Sequence, residues 1–592
     1  MPAHAEKDWG LHRRRSDEVF SMTFTFTVAP EDWGRIAPVL VLVGMTIMIM
    51  IVDVLLPHPG ERTKHSGPEN FAILPILAFL GILGAIVATI TLFLVGDQRQ
   101  AFNNMIGSDW GSLYAYLIIL TASGLGVLFS PAYLKRLNLV HQGEYYALFL
   151  LSTTGMMLMA ASTSFLLVFL GLEMLSLALY ILCAFVARRK SSQESGMKYF
   201  LLSSFASAFL LYGIAMTYGA TGSTSFNGVA AYVRNVAAHN HPSGIALQSP
   251  ILLIVALGLL GVGFAFKVSA IPFQAWTPDV YQGAPAPITA FMSVGTKVAA
   301  LIAFARVFGL VFLPVQSDWM PVVWAITVLT IVGGNVMALV QTNVKRLLAY
   351  SSIAHAGYLL IGVVVGGSLG ISAILFYLFC YGFLNLGAFG VVSILERADS
   401  SGTDASDLRG LWYRRPALAG LLAFFLFSLA GFPPMAGFAA KYYLFYTALV
   451  GGHPELLIIG VLASILGIYY YLRVTATMFM ERESAPAGSA PGVPATPVLA
   501  TSGNARRTPA RGTTGGLVTA GTAVAVKTPS TKLPQPSTSL QRPVEQEPDP
   551  GSLNWFSWIG LGIAALGTLA MGTLLPFWLV NLAVQAAGTM LK

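Results

Sequence analysis

The sequence predicts an all-α polytopic membrane protein, and three observations predict it. Of 592 residues 55% are hydrophobic and only 10% charged, with a mean hydropathy of +0.70, against about 25% charged in soluble domains. The apolar residues gather into runs of about twenty, the length a helix needs to cross a hydrocarbon core. Inside three of those runs stand Lys267, Lys297 and Lys441. An ammonium at bilayer depth costs roughly 2.5–3.5 kcal/mol on insertion scales, so each needs a purpose.

The runs give about fourteen transmembrane helices, at 36–56, 72–95, 113–131, 144–160, 163–187, 195–219, 250–282, 287–313, 320–341, 346–366, 370–396, 416–450, 455–480 and 554–582. The seventh and twelfth are too long for one straight span. They contain Pro272 and the pair Pro433-Pro434, which cannot donate to the helix ladder, so both are expected to be broken helices. Broken backbone at membrane depth is tolerated only where it is buried in protein or lines a watery cavity. The two breaks lie five spans apart. Spans 4–8 and 9–13 then form two five-helix repeats, inverted because five is odd, and inverted repeats with discontinuous helices mark transport folds.

The expected organisation is an N-terminal tail over 1–30, helices 1–3 over 31–143, a first repeat over 144–315, a second over 316–482, and a last helix with the C-terminus over 553–592. Residues 483–552 are rich in Pro, Ala, Thr, Ser and Gly; such a composition buries too little surface to fold and is expected to be a disordered cytoplasmic linker. Counting connections from the first span, the odd ones hold Arg62, Lys135, Arg136, Arg188, Arg189, Lys190, Lys345, Arg346, Arg414 and other basic residues, and the even ones only Arg99 and Arg234. The odd connections should be cytoplasmic and both termini periplasmic. Lys7 and Arg13–Arg15 oppose that placement; a true start at Met22 would remove the conflict.

Several classes of function are excluded. The net charge of +8 implies no nucleic-acid partner here, because in a membrane protein the placement of charge matters more than its sum. Cys183 and Cys380 both lie in apolar runs and are too few for an iron–sulfur cluster, which takes about four thiolates. Neither a GxGxxG after a strand nor a P-loop is present. The chain is expected to bind no cofactor and no metal. His239 and His241 share a loop but lack the further ligands a metal site needs.

The ionisable residues within spans carry the expected chemistry. Glu173 lies in SFLLVFLGLEMLSLALYILCAF and is expected to pair with Lys267. A nearby carboxylate favours the ammonium and dry surroundings favour the amine, so making and breaking the pair would load and unload a proton. Lys297 and Lys441 could snorkel to an interface, but both lie far from any loop end. His355, in NVKRLLAYSSIAHAGYLLIG, is a natural relay between lysines, and its span occupies the second repeat's counterpart of the Glu173 span. Asp53 is read as interfacial, Arg306 and Arg473 as caps or snorkelling side chains, and Tyr469-Tyr470-Tyr471 as packing.

At these residues the chain resembles a known family. The segments LGLEMLSLALYIL, SGMKYFLLSSFASAFLLYGIAMTYGATGST, FKVSAIPFQAWTPDVYQGAPAPITAFMSVGTK, NVKRLLAYSSIAHAGY and LAGFPPMAGFAAKYYLF resemble subunit N of bacterial NADH–quinone oxidoreductase, subunit 2 of complex I. The resemblance runs over about 30–480 and the final span. It implies the antiporter-like fold, with Glu173 and Lys267 as the charged pair of helices 5 and 7, Lys297 as the central lysine of helix 8, His355 as a relay, and Lys441 as the exit lysine of helix 12. One position departs: Gln274, in AIPFQAWTPD, stands where the family usually has a histidine, and glutamine does not titrate.

The expected function is therefore proton translocation within a respiratory NADH–quinone oxidoreductase of the bacterial inner membrane. NADH, FMN, iron–sulfur and quinone chemistry is expected on partner subunits, beside sister antiporter-like subunits of the membrane arm. The rivals are a subunit of a multi-subunit Na⁺/H⁺ antiporter and a non-conducting structural subunit.

Overall fold

In lipid every backbone polar group must be satisfied within the segment, which leaves helices as the spanning element for a chain of this pattern. The computed structural model describes residues 29–56, 72–137, 139, 142–239, 250–397, 399, 401–480 and 554–590. Met22, His241, the His239 side chain and the 483–552 segment lie outside the described residues.

In chain order the helices are α1 (Pro30–Arg35), α2 (Ala37–Leu55), α3 (Ile73–Val95), α4 (Trp110–Arg136), α5 (Gln142–Ala160), α6 (Phe165–Cys183), α7 (Lys190–Thr221), α8 (Phe226–His239), α9 (Ile251–Val268), α10 (Trp276–Gly283), α11 (Ala286–Arg306), α12 (Gln316–Leu339), α13 (Val344–Val365), α14 (Gly367–Leu395), α15 (Leu411–Arg414), α16 (Pro416–Ala430), α17 (Ala436–Val450), α18 (Pro454–Phe479), α19 (Asn554–Thr573) and α20 (Pro576–Met590). A two-stranded hairpin, β1 (Gln100–Ala101) with β2 (Ile106–Gly107), joins α3 to α4.

Among the described residues twelve helices are long and apolar enough to cross a membrane, against an expected fourteen. The other two expected spans take different forms. α5 is a 19-residue helix whose Glu144, two tyrosines, two threonines and one serine dilute its hydropathy, and 416–450 is two helices of 15 residues each. The last expected span, 554–582, also divides: α19 ends at Thr573 and α20 restarts at Pro576, where proline's missing donor costs nothing.

α4, α11, α13 and α14 are almost wholly buried, whereas α2, α3, α7, α12 and α18 turn large apolar side chains such as Val54, Leu94, Phe205, Leu329 and Leu462 outward. A soluble surface would not expose so continuous an apolar belt; lipid is its solvent. α11 and α14 pack against each other at the centre, and α14 also meets α4, α17, α19 and α20.

Both expected breaks are present and share one hydrogen-bond pattern. α9 ends at Ser269 (φ 68°) and α16 at Gly431 (φ 97°), each left-handed. The next N–H returns to the fifth carbonyl back, Ala270 to Ala265 (2.8 Å) and Phe432 to Phe427 (3.2 Å), which closes the helix end as a Schellman motif. A turn follows in both, Phe273 N–H to Ala270 O and Met435 N–H to Phe432 O, with Pro272 and Pro434 at the same place within it. Matching the breaks sets Lys267 level with Leu429 and Lys441 level with Asp279. The two lysines thus occupy opposite halves of their broken helices.

The crossing of helix pairs repeats as well. A Cβ on Gly155 of α5 would lie 2.5 Å from the Leu175 nitrogen, and one on Gly334 of α12 would lie 2.7 Å from the Ala354 nitrogen. Only glycine lets these backbones approach so closely. Superposing the crossings sets Ser352 level with Glu173 and His355 level with Ser176, a finer register than matching whole spans provides.

Candidate functional site

Lys267 stands two residues before the αL turn that ends α9 and is 2% exposed. Its Nζ donates to Ser176 Oγ (2.7 Å), to Ser203 Oγ (3.3 Å) and to the Tyr199 hydroxyl (3.4 Å), and lies 5.2 Å from the centre of the Tyr199 ring. The expected contact with Glu173 is not made. Ser176, one helical turn further along α6, takes the ammonium instead, and Glu173 Oε1 is buried without a donor. The carboxylate is a neighbour of the lysine rather than its ligand.

Lys297 lies in the middle of α11 and is 1% exposed. Its Nζ donates to both the carbonyl and the hydroxyl of Ser352 on α13, and the Tyr381 hydroxyl donates to Ser352 Oγ at 2.8 Å. No carboxylate touches it among the described residues. The adjacent Ser351 bonds the Tyr471 hydroxyl, which lies 3.3 Å from His355 Nε2; His355 Nδ1 lies 2.8 Å from the Tyr377 hydroxyl. Tyr358 meets the His355 ring edge-on at 5.8 Å.

Lys441 completes the row. Its Nζ lies 5.5 Å from the centre of the Tyr358 ring and donates to Ser464 Oγ (2.8 Å) and to the Ala430 carbonyl (3.0 Å), one of the acceptors freed by the second break. A Cβ on Gly431 would meet the Lys441 side chain at 3.2 Å, so the glycine serves both the left-handed turn and the lysine's seat. Asn335 donates to the Tyr358 hydroxyl (3.1 Å) and accepts from Tyr470 (3.2 Å).

The structure thus brings Lys297, His355 and Lys441 into one polar row but does not join Lys267 to it through side-chain hydrogen bonds. Beside Lys267, Trp276 stacks on Tyr199 at 4.7 Å and meets Tyr281 at 6.1 Å. Gln274 follows the first break with its Oε1 buried and without a donor. Among the described residues no group of three His, Cys, Asp or Glu is placed to hold a metal ion.

Among the lesser residues some depart from their expected roles, and Arg473 keeps its own. Tyr470 and Tyr471 belong to the polar network, and only Tyr469 faces outward. Arg306 neither caps nor snorkels: it is buried and donates to both carboxylate oxygens of Asp109, at 2.8 and 2.9 Å. Arg473 caps the carbonyls of Leu339 and Gln341 at 2.7 and 2.6 Å, and half-buried Asp53 packs against the start of α5 at Gly143. One cluster is invisible in the sequence pattern. Glu396, 2% exposed, pairs with Arg189 (3.0 Å) and with Lys345 (3.4 Å), both buried. In sequence these are ordinary loop charges. Only the spacing of Lys345, Ser352 and His355, seven and ten residues apart along one helical face, hints that the lysine belongs with the interior.

Broken helices, inverted repeats and dry lysines on a helical scaffold define a class, the antiporter-like ion-translocating membrane subunits. The family described as NADH:quinone oxidoreductase/Mrp antiporter, TM, matches residues 162–467. NADH-quinone oxidoreductase subunit N of Trichlorobacter lovleyi is 42% identical over 446 residues, covering 75% of this chain and 87% of that protein. Its counterpart in Chloroflexus aggregans is 42% identical over 465 residues, covering 78% and 91%. The chain belongs to the NADH-quinone oxidoreductase subunit N family. Among solved structures, a chain of respiratory complex I from Thermus thermophilus matches with TM-score 0.64 at 29% identity, covering 92% of this chain and 99% of that one. A chain of the Mrp complex from Dietzia sp. shares the fold, with TM-score 0.70 at 19% identity, covering 95% and 98%.

Proposed function

We propose that this chain is a proton-translocating subunit in the membrane arm of a respiratory NADH–quinone oxidoreductase, set in the bacterial inner membrane with both termini periplasmic. NADH oxidation and quinone reduction take place on partner subunits. The observation that carries the reading is that Lys267, Lys297 and Lys441 are each solvated by hydroxyls and carbonyls rather than by a carboxylate. A carboxylate in contact would lock the ammonium, whereas a hydroxyl accepts from –NH₃⁺ and donates to –NH₂ alike.

A proton arriving from the cytoplasm resides on Lys267 or Lys297, passes Ser352, Ser351, Tyr471 and His355, and leaves by Lys441. His355, flanked by hydroxyls at both ring nitrogens, takes a proton on one and releases it from the other. Glu173 supplies the bias. When it swings toward Lys267 the ammonium is favoured; when it turns to a neighbouring subunit, the proton moves on. The boundaries 144–315 and 316–482 describe the two repeats in this reading.

The test is NADH-driven proton uptake by the assembled complex in liposomes. Lys297→Met should abolish the chain's contribution while assembly survives, and full pumping by an assembled Lys267→Met/Lys297→Met variant would end the mechanism. A structural subunit would tolerate the neutral residues. An independent Na⁺/H⁺ antiporter would purify without flavin- and iron–sulfur-containing partners.

A further inference from the structure

The Glu396 cluster has no part in the path above, yet it is among the most deeply buried charge in the protein. Glu396, at the end of α14, and Lys345, in the first turn of α13, have side chains only 1% exposed. Arg189 bonds Glu396 Oε1, the Tyr133 hydroxyl (2.8 Å) and the Arg397 carbonyl (2.7 Å), and Arg136 donates to the Ile394 and Glu396 carbonyls at 2.7 and 3.0 Å. Burying ions costs several kcal/mol each, and apolar side chains of equal volume often serve stability as well or better.

Two further observations give the cluster a direction. A cavity of about 900 Å³ reaches Arg136 and Arg189 from the outside, lined also by Arg188, Lys190, Glu144 and Asp399. The arginines that close it are the ones that hold Glu396. On the inner side, Lys345 donates to the Ala284 carbonyl at 2.7 Å, in the turn between α10 and α11. α10 packs along α13 and carries Tyr281, whose fully buried hydroxyl makes no regular hydrogen bond but lies close to Ser352. Ser352 is the ligand of Lys297, and it lies seven residues beyond Lys345, about 10 Å along the same helix.

We propose that the Glu396–Lys345 pair is the cytoplasmic loading point for Lys297, handing protons inward by way of Tyr281 and Ser352. The inference rests on the proton-translocating reading above and adds an inlet that does not pass through Lys267. A proton from solvent in the cavity binds a Glu396 carboxylate oxygen. The Lys345 ammonium gives one proton inward and, left as an amine, takes the proton from Glu396, which restores the ion pair. Tyr281 and Ser352 each accept a proton on oxygen and release their own, and the amine of Lys297 ends as the ammonium. One proton enters, one arrives, and no electrons move.

Tyr281→Phe is the decisive variant, because Ser352 keeps Lys297 and Tyr381 as partners, so deleting the Tyr281 hydroxyl leaves nothing unsatisfied and should not disturb folding. In the assembled complex in liposomes it should slow proton translocation roughly tenfold or more, the scale of a lost proton-transfer group. Glu396→Gln should do the same, and Glu396→Asp should restore translocation with a displaced pH–rate profile, which a purely structural role would not move. Unaltered translocation and pH profile in Tyr281→Phe, with Lys297→Met still blocked, would overturn the inlet and leave the pumping function standing. Normal translocation by Lys297→Met would instead overturn the reading on which the inlet rests.

Discussion

Hydroxyls do for these lysines what bulk water does at a surface. Ser352 illustrates this: its Oγ accepts from Tyr381 and from Lys297 at once, so it couples the lysine to the tyrosine row. Ser352→Ala should slow proton translocation by roughly tenfold or more with assembly intact, while Ser352→Thr retains it; liposome uptake assays compare the two. Beyond the end of α3 a different residue offers a pH test. Burial pushes the Asp97 carboxyl up, but hydrogen bonds from Arg35 at 2.7 and 2.9 Å and from the Arg99 N–H outweigh it and hold the group below its ordinary value. A folded value below the unfolded one stabilises the native state above the ordinary aspartate range, about 3.9, and that contribution is lost as pH falls through the lowered value. The stability difference between the parent and Asp97→Asn should be constant at neutral pH, begin to fade near about pH 4, and be lost only as pH falls through the lowered value, as thermal melts would show.

At the scale of elements, the breaks and the glycine crossings fix where those side chains stand. Gly431→Ala places a Cβ in the left-handed region, at a cost of about 1–2 kcal/mol, and presses it on Lys441. Thermal unfolding should fall accordingly, and proton translocation should fall further than the stability loss alone explains. Gly334→Val drives a side chain into the Ala354 backbone, which cannot yield. Overpacking of this kind costs about 1–3 kcal/mol, and it would displace α13 with both Ser352 and His355, so the variant complex should assemble poorly, as native gels would show. The breaks were legible because a proline deep in a span too long to be straight removes a ladder donor just where the helix must stop. The crossings were not, because glycine is common in membrane helices and nothing in the sequence marks which ones touch.

For the whole molecule, burial decides reactivity. Cys183 and Cys380 are both wholly enclosed, and a thiol must reach solvent as thiolate to react. A maleimide reagent should therefore label neither in the native complex and both after denaturation in SDS. The same enclosure explains the uneven legibility of the candidate site. Lys267, Lys297, His355 and Lys441 were visible in sequence because a charged or titratable residue in an apolar run has no cheap alternative. Ser176, Ser352, Tyr381 and Tyr471 were not, because hydroxyls bond their own helix at little cost and give no sign of a distant partner.

Sequence alone determined the membrane class, the two broken helices and the titratable groups, since each follows from the cost of placing a polar atom in hydrocarbon. Tertiary structure decided who solvates whom. It gave Lys267 to Ser176 rather than Glu173, set Lys297, His355 and Lys441 among one group of serines and tyrosines, packed Trp276 against Tyr199 and Tyr281, and gathered Glu396, Arg189 and Lys345 from three connections into one buried cluster. Those choices depend on distances between helices far apart in the chain, and hydropathy carries no record of such distances.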